Sequence, residues 1–447
     1  MLNRGLMHKL RSWSKNKYRK PLVLRGARQV GKTTLVNMFS ESFEQYIYLN
    51  LELSEDAAIF SKNNSIEQVI QAIFFLKGKS TEKQTLVFID EIQNSPRAVA
   101  LLRYFYETRP DLYVIAAGSL LETLLDVSVS FPVGRVEFMV VHPFTFEEYL
   151  WAAGENQAAD ILNTTPCPTY ADEKMRALFH RYVQVGGMPE AVRVYVETGD
   201  LQRLSAIYEN LITAYIEDIE KYAKRDRLVP ILRHVIQTAF NEVGTRIRYT
   251  GFGNSSYRAG DIKEALQLLQ KAFLFQVVHP TTATTLPIAQ DLKKAPRVQT
   301  IDTGLVTYMT GTERELFVNR DLDGVFQGRV VEHIVGQELF AKSNSPMNKL
   351  NFGVREKSQS NAEVDFLVEH EGLVIPVEVK SGATGRLRSL HSFIDRAPHS
   401  TAVRIYGGKL SVERAKTIAK KPFTLINLPY YLTSRISQYL DKHATRE

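Results

Sequence analysis

The residues best placed to do chemistry are a glycine-bracketed run, Gly26, Ala27, Arg28, Gln29, Val30, Gly31, Lys32, Thr33 and Thr34, and an acid pair, Asp90 and Glu91. In GARQVGKT the two glycines let backbone amides wrap a chain of phosphates, Lys32 reaches the outer phosphates, and Thr33 offers a hydroxyl to magnesium. ATP and Mg2+ are the expected cofactors. Strand-like PLVLR precedes the run and helix-like TTLVNMFSES follows it, so that helix aims its positive end at the same oxyanions. The apolar segment TLVFI then delivers Asp90 to hold the metal and Glu91 to polarise an attacking water. An apolar strand ending in two acids is by itself an ordinary solvated strand end; beside a phosphate loop it becomes the second half of an ATP-hydrolysing site.

Ser119, closing LYVIAAGS, is placed either to sense the terminal phosphate or to cap the helix after it. Arg135, in FPVGRVEF, reads as a surface arginine or as a finger acting on a neighbouring subunit's ATP, which would imply a homo-oligomer.

A second constellation lies near the C-terminus. Period-two alternation puts Glu363 and Asp365 on one face of AEVDFLVE, and Glu378 and Lys380 on one face of LVIPVEVK. Pairing the two strands across the turn HEG brings Asp365, Glu378 and Lys380 to one patch. Two carboxylates there suit magnesium, and the lysine suits a water that attacks a phosphodiester. The alternative is an exposed hairpin face carrying a weak Glu378–Lys380 ion pair.

The elements that must position these residues follow from periodicity. Strands and helices alternate through the first 150 residues, which predicts a parallel sheet with ligand sites at its strand ends. After Tyr149, AGENQAADILNTTPCPTYADE reads as a polar connection at a domain boundary. Helical periodicity follows from Lys174 to Val185, breaks at GGMPE and resumes through LSAIYENLITAYIEDIEKY. Residues 231–280 read as two helices and a strand, the pattern of a winged helix. Its recognition helix is expected over Asp261–Lys271, with Arg246, Arg248, Arg258, Lys263 and Lys271 on or near it; TTATT, Lys293, Lys294 and Arg297 would form a wing on backbone phosphates. The expected class is α/β: a P-loop parallel-sheet ATPase core over 1–150, a helical lid over 151–230, a winged helix over 231–300, and a C-terminal α/β domain with its connecting segment over 301–447.

Composition fits this layout. A chain of 447 residues with 44% hydrophobic and 23% charged residues is long enough for several cores and unlike a disordered chain. A single cysteine, Cys167, excludes an internal disulfide. The basic stretch from Arg4 to Lys20 lacks the apolar run of a signal peptide, and no run approaches the roughly 20 apolar residues of a membrane helix, so a cytoplasmic protein without a membrane partner is expected. The net charge of +7 concentrates in residues 1–40 and 231–300, a distribution suited to nucleic acid, DNA foremost, or to a plain solvated surface.

Taken in order, GARQVGKTTL, FIDEIQ, AAGSLLE, VGR followed by HPFTFEEYL, and GGMPE resemble the bacterial and archaeal family of predicted AAA+ ATPases with a conserved C-terminal domain of uncharacterised function. The resemblance covers nearly the whole chain. It implies an AAA+ core with the acid and arginine roles above, a winged helix after a helical lid, and a nuclease-like C-terminal fold. The order Asp365, Glu378, Lys380 also resembles the PD-(D/E)xK nuclease core, in which Glu332 would supply the additional helical acid and metal ligand. The proline that precedes the aspartate in that motif is missing here.

Overall fold

The computed structural model describes residues 3–60, 65–118, 131–220, 226–312, 325–355, 362–382 and 387–444, with side chains from 328 onward in the segment that begins at 325. The N-terminal unit is built on five strands, β1 (Leu22–Arg25), β2 (Gln45–Asn50), β3 (Thr85–Asp90), β4 (Tyr113–Ala117) and β5 (Glu137–Val140). They lie in the order β2-β3-β4-β1-β5 and every pairing is parallel. Helices cover both faces, which is why β3 is buried along its whole length and reads as a continuous apolar run rather than an alternation. Because β4 separates β1 from β3, the phosphate loop after β1 and the acids after β3 leave the same edge of the sheet on either side of β4. This is the architecture of a P-loop ATPase core.

The helical periodicity after this unit yields the helices Asp172–Val185, Pro189–Thr198 and Leu204–Glu220. The segment 153–173 departs from the expectation of a polar connection. It contains the helix Asn156–Leu162, whose Ala158, Ala159 and Leu162 are buried at helical spacing. Cys167 N donates to Tyr439 Oη at 2.9 Å and Thr165 Oγ1 donates to Gln438 at 2.8 Å, so the chain's C-terminal helix, Ile436–His443, satisfies the polar groups that made this stretch look like a linker.

Residues 228–300 form two helices, Leu228–Ala239 and Ala259–Lys271, and an antiparallel ribbon of β6 (Phe275–Val278) with β8 (Arg297–Thr300). Between them β7 (Pro280–Thr281) leaves the ribbon to pair with β9 (Phe352–Val354), which also pairs with β10 (Glu363–Val364). The last sheet has the order β11 (Phe366–His370), β12 (Leu373–Lys380), β13 (Thr401–Tyr406), β15 (Pro422–Pro429), β14 (Ser411–Lys416). Strands β12, β13 and β15 run parallel at its centre, while β11 and β12 form a hairpin. Its two-residue turn, Glu371–Gly372, takes positive φ at both positions, 46° and 83°, as a tight hairpin turn requires. One buried apolar cluster runs from Leu6 to Leu440 and includes residues from all four expected domains. Among the described residues no helix is long and apolar enough to cross a membrane.

Candidate functional site

Between β1 and the helix Lys32–Ser40 the chain turns on Gly26, at φ 142°, and Gly31, at φ 89°. A Cβ on Gly26 would lie 2.3 Å from the carbonyl oxygen of Val141, so no other residue fits this turn. Lys32 is buried and donates its ammonium to the carbonyls of Gly26 at 3.0 Å and Ala27 at 2.8 Å. Burial lowers its pKa to about 8 against the opposing pull of Glu91 and Asp90. These are neutral carbonyl partners, and they hold the cation at the mouth of the loop without cancelling its charge.

Asp90 ends β3 and accepts from Thr33 Oγ1 at 2.7 Å and from Tyr48 Oη at 3.3 Å. Thr33 and Asp90 are therefore in contact, the arrangement from which a hydroxyl and a carboxylate share one Mg2+. Glu91 follows at φ 51°, a left-handed conformation that few non-glycine residues adopt, and its carboxylate accepts from the Gln93 side chain. Burial raises the Glu91 pKa, with Gln93 and Lys32 opposing. A carboxylate so placed suits the positioning of a water beside the phosphates. The donor set, one buried lysine, one hydroxyl and two acids around a glycine turn, fits a magnesium nucleotide.

What holds this loop from outside is not visible in its local sequence. GGMPE is more than a helix break. Gly187 packs so closely on Phe144 that a Cβ would lie 2.3 Å from its carbonyl oxygen, and Gly187 N donates to buried Asp302 at 2.6 Å. Pro189, which starts the next helix, thereby comes 3.7 Å from where a Cβ on Gly31 would stand. The Arg28 carbonyl accepts from Tyr215 Oη at 2.9 Å, and the Arg28 guanidinium pairs with Asp218, both on the helix Leu204–Glu220. Arg4, counted above in a basic surface stretch, is instead buried: it donates to the carbonyls of His142 at 2.6 Å and Val30 at 3.4 Å, and pairs with Glu148 at 3.2 Å. The signal for this anchor was present in HPFTFEEYL, where Thr145 and Glu148 form a capping box.

Ser119 lies outside the described residues. Arg135 precedes β5, at the opposite end of the sheet from the phosphate loop, and pairs with Glu107 at 2.8 Å. Within one chain the two are not brought together.

The C-terminal constellation does assemble. The β11–β12 register begins with Phe366 opposite Val377, and from the bend just before it Asp365 Oδ2 accepts from Val379 N at 2.8 Å. Lys380 Nζ donates to Glu378 Oε1 at 2.6 Å. Glu332 reaches the same cluster from the helix Val325–Ala341. Burial raises all three acids, Glu332 to about 8 and Glu378 to about 7. Burial lowers Lys380, but Glu378 and Asp365 overcome this and raise it.

The unexpected member is Arg297. It was expected on a wing touching phosphates, but its side chain is only 12% exposed and pairs with Glu332, with Glu363 at 2.8 Å and with Asp365 at 3.8 Å. Arg246 pairs with the same Glu363 at 2.7 Å. A buried guanidinium thus stands among the predicted metal ligands, facing Glu332 and Asp365. As arranged, this residue set does not fit a divalent ion.

Elsewhere on the two-helix unit, Lys263 and Gln267 of the second helix line a cleft of about 240 Å3 with His279 and with Lys349 from the C-terminal unit. Burial, then Lys263 and Lys349, hold His279 below its usual pKa.

Residues 18–150 match a family model described as an AAA domain. This unit is an AAA-type, ATP-binding domain. Residues 176–316 and 327–431 match two families described as domains of unknown function, DUF8612 and DUF4143. No curated protein matches the chain. Among solved structures it is similar to the Walker-type ATPase PABY2304 of Pyrococcus abyssi, at 19% identity and a TM-score of 0.46, over 69% of this chain and 96% of that one. It is also similar to PCH-2 of C. elegans, at 14% identity and a TM-score of 0.28, over 44% of this chain and 62% of that one. A third likeness is to the Drosophila ORC, in a structure bound to DNA, at 16% identity and a TM-score of 0.24, over 58% of this chain and 65% of that one.

Proposed function

We propose that the chain hydrolyses ATP with Mg2+ at Lys32, Thr33, Asp90 and Glu91 and couples turnover to the handling of nucleic acid, DNA foremost. The observation that carries the first half is the contact of Thr33 with Asp90 at 2.7 Å beside the buried ammonium of Lys32. In this reading the backbone from Gly26 to Thr34 cradles the phosphates, Lys32 neutralises charge developing on the transferred group, and Glu91 orients the water. Mg2+, held by Thr33 and Asp90, supplies further neutralisation of the phosphates. Ser119 senses the terminal phosphate, and Arg135 serves the nucleotide of a neighbouring copy in a homo-oligomer, its distance from its own loop being consistent with action in trans. Arg28, tied to Asp218, links loop occupancy to the lid.

For nucleic acid, the support is the exposed basic set Arg248, Arg258, Lys263 and Lys293 on the two-helix unit, and the lysine-lined cleft it shares with the C-terminal unit. We read these units as a winged helix over 231–300 and a nuclease-like fold over 301–447, following a core over 1–150 and a lid over 151–230, in a cytoplasmic protein. The C-terminal fold in this reading binds without cutting, because Arg297 holds its acids. A second reading, a nucleotide-regulated scaffold whose later units bind protein, is favoured by the largest buried cluster, which includes residues from all four expected domains.

ATP turnover measured across DNA and RNA of several structures separates the readings, with Lys32→Ala and Asp365→Ala as controls. Stimulation by nucleic acid, lost in Lys32→Ala and kept in Asp365→Ala, is the expected result. A rate indifferent to every nucleic acid selects the scaffold reading, and a folded protein without affinity for ATP rejects both.

A further inference from the structure

We infer that the acidic centre of the C-terminal sheet is built around a resident guanidinium, that of Arg297, which takes the place a divalent cation would need and excludes it. The inference stands on the geometry of the centre and is independent of any role in nucleic-acid handling.

Arg297 is held too firmly to be an incidental neighbour. Its guanidinium lies 4.6 Å from the centroid of the Phe352 ring while pairing with Glu332, Glu363 and Asp365. The residues that follow it on β8 clasp the helix bearing Glu332: Gln299 Nε2 donates to the His333 carbonyl at 2.6 Å, and Thr300 Oγ1 meets His333 Nε2 at 2.8 Å. Thr303 Oγ1 meets the other ring nitrogen at 2.9 Å. Withdrawing Arg297 would leave Glu332 without its ion pair and Glu363 with Arg246 alone, whereas its present position gives each acid a charged partner.

Little capacity remains for a metal. Glu332, Glu363 and Asp365 face the guanidinium, Asp365 also accepts the Val379 amide, and Glu378 Oε1 accepts from Lys380. Glu378 Oε2 is buried without a hydrogen-bond partner. Magnesium is commonly held through one or two carboxylates and keeps its waters, so a dication here would have to displace the guanidinium from Glu332 and Asp365 to reach them. The four carboxylates already face three cations, Arg246, Arg297 and Lys380, and a dication placed beside a buried guanidinium meets direct repulsion. Removing Arg297 reverses the balance, leaving Glu332, Asp365 and Glu378 around a space lined by carboxylate oxygens.

The test is Mn2+ binding without nucleotide, followed by electron paramagnetic resonance and by thermal melting, on full-length wild type, Glu378→Gln, Arg297→Gln and Arg297→Gln/Glu378→Gln. Wild type and Glu378→Gln should bind Mn2+ alike, with melting temperatures indifferent to it. Arg297→Gln should melt lower, gain a Mn2+ site that the double variant lacks, and recover by a few degrees as Mn2+ saturates that site. If Arg297→Gln fails to fold without metal, Mn2+ should restore its folding. A Mn2+ site in wild type that Glu378→Gln abolishes overturns the inference, as does an Arg297→Gln protein that gains neither binding nor stability.

Discussion

The phosphate loop and the C-terminal centre are made of the same materials, a lysine and acids at strand ends, yet they are wired in opposite ways. At the loop, Lys32 is held by two backbone carbonyls, and Asp90 accepts from hydroxyls. The nearby arginine, Arg28, is turned away onto Asp218. Charge is kept for a ligand. In the C-terminal centre Arg297, Arg246 and Lys380 take up the carboxylates, and charge is spent within the chain. Acids at the right spacing therefore do not make a metal site; it matters whether their counter-ions come from the ligand or from the fold.

The contrast is broken most directly at the loop. Lys32→Ala should lower ATP turnover by roughly 100-fold or more, since it removes a cation from the transferred phosphate's surroundings, while Lys380→Ala leaves turnover unchanged; steady-state phosphate release reads both. Equal losses would mean the two centres act together. Glu91→Gln should cost about 100-fold in turnover with nucleotide affinity retained, because it orients water and binds no phosphate. Comparing kcat with a directly titrated Kd checks this split, and a matching loss of affinity would place Glu91 in binding instead.

Stability tests the same difference in wiring. Glu363→Gln takes one of three acids from buried Arg297 and the partner of the more exposed Arg246, and should cost about 2 kcal/mol of unfolding free energy. Asp218→Asn breaks a pair whose arginine side chain is 42% exposed though its acid is only 10% exposed, so its cost should be about 1 kcal/mol, below that of Glu363→Gln. Urea unfolding of the two variants side by side decides, and similar losses would erase the distinction between spent and reserved charge.

The smallest expected effect is on pH dependence. Burial first holds Lys32 down to about 8, so its ammonium is intact below that pH and is lost above it. Nucleotide phosphates favour the charged form, so binding above pH 8 takes up a proton and affinity should fall by at most about tenfold per pH unit. A fluorescent nucleotide titrated from pH 7 to 9.5 shows the slope, and a flat profile would mean the carbonyl cage, not the charge, governs binding.

Local chemistry alone determined much of this protein. Glycines at 26 and 31, an apolar strand before them and a helix after them admit few backbone paths, so the loop was legible from residue types. So were the Asp90–Glu91 strand end and the Glu371–Gly372 hairpin, which carries Asp365, Glu378 and Lys380 to one patch. The tertiary structure alone decided which charges meet. Arg297 finds Glu332 and Glu363 across 35 and 66 residues of chain, and Arg4 finds His142 across 138. Periodicity says which face a side chain takes, but a buried charge chooses its partner only when two distant segments have packed, and burial then makes that pairing obligatory.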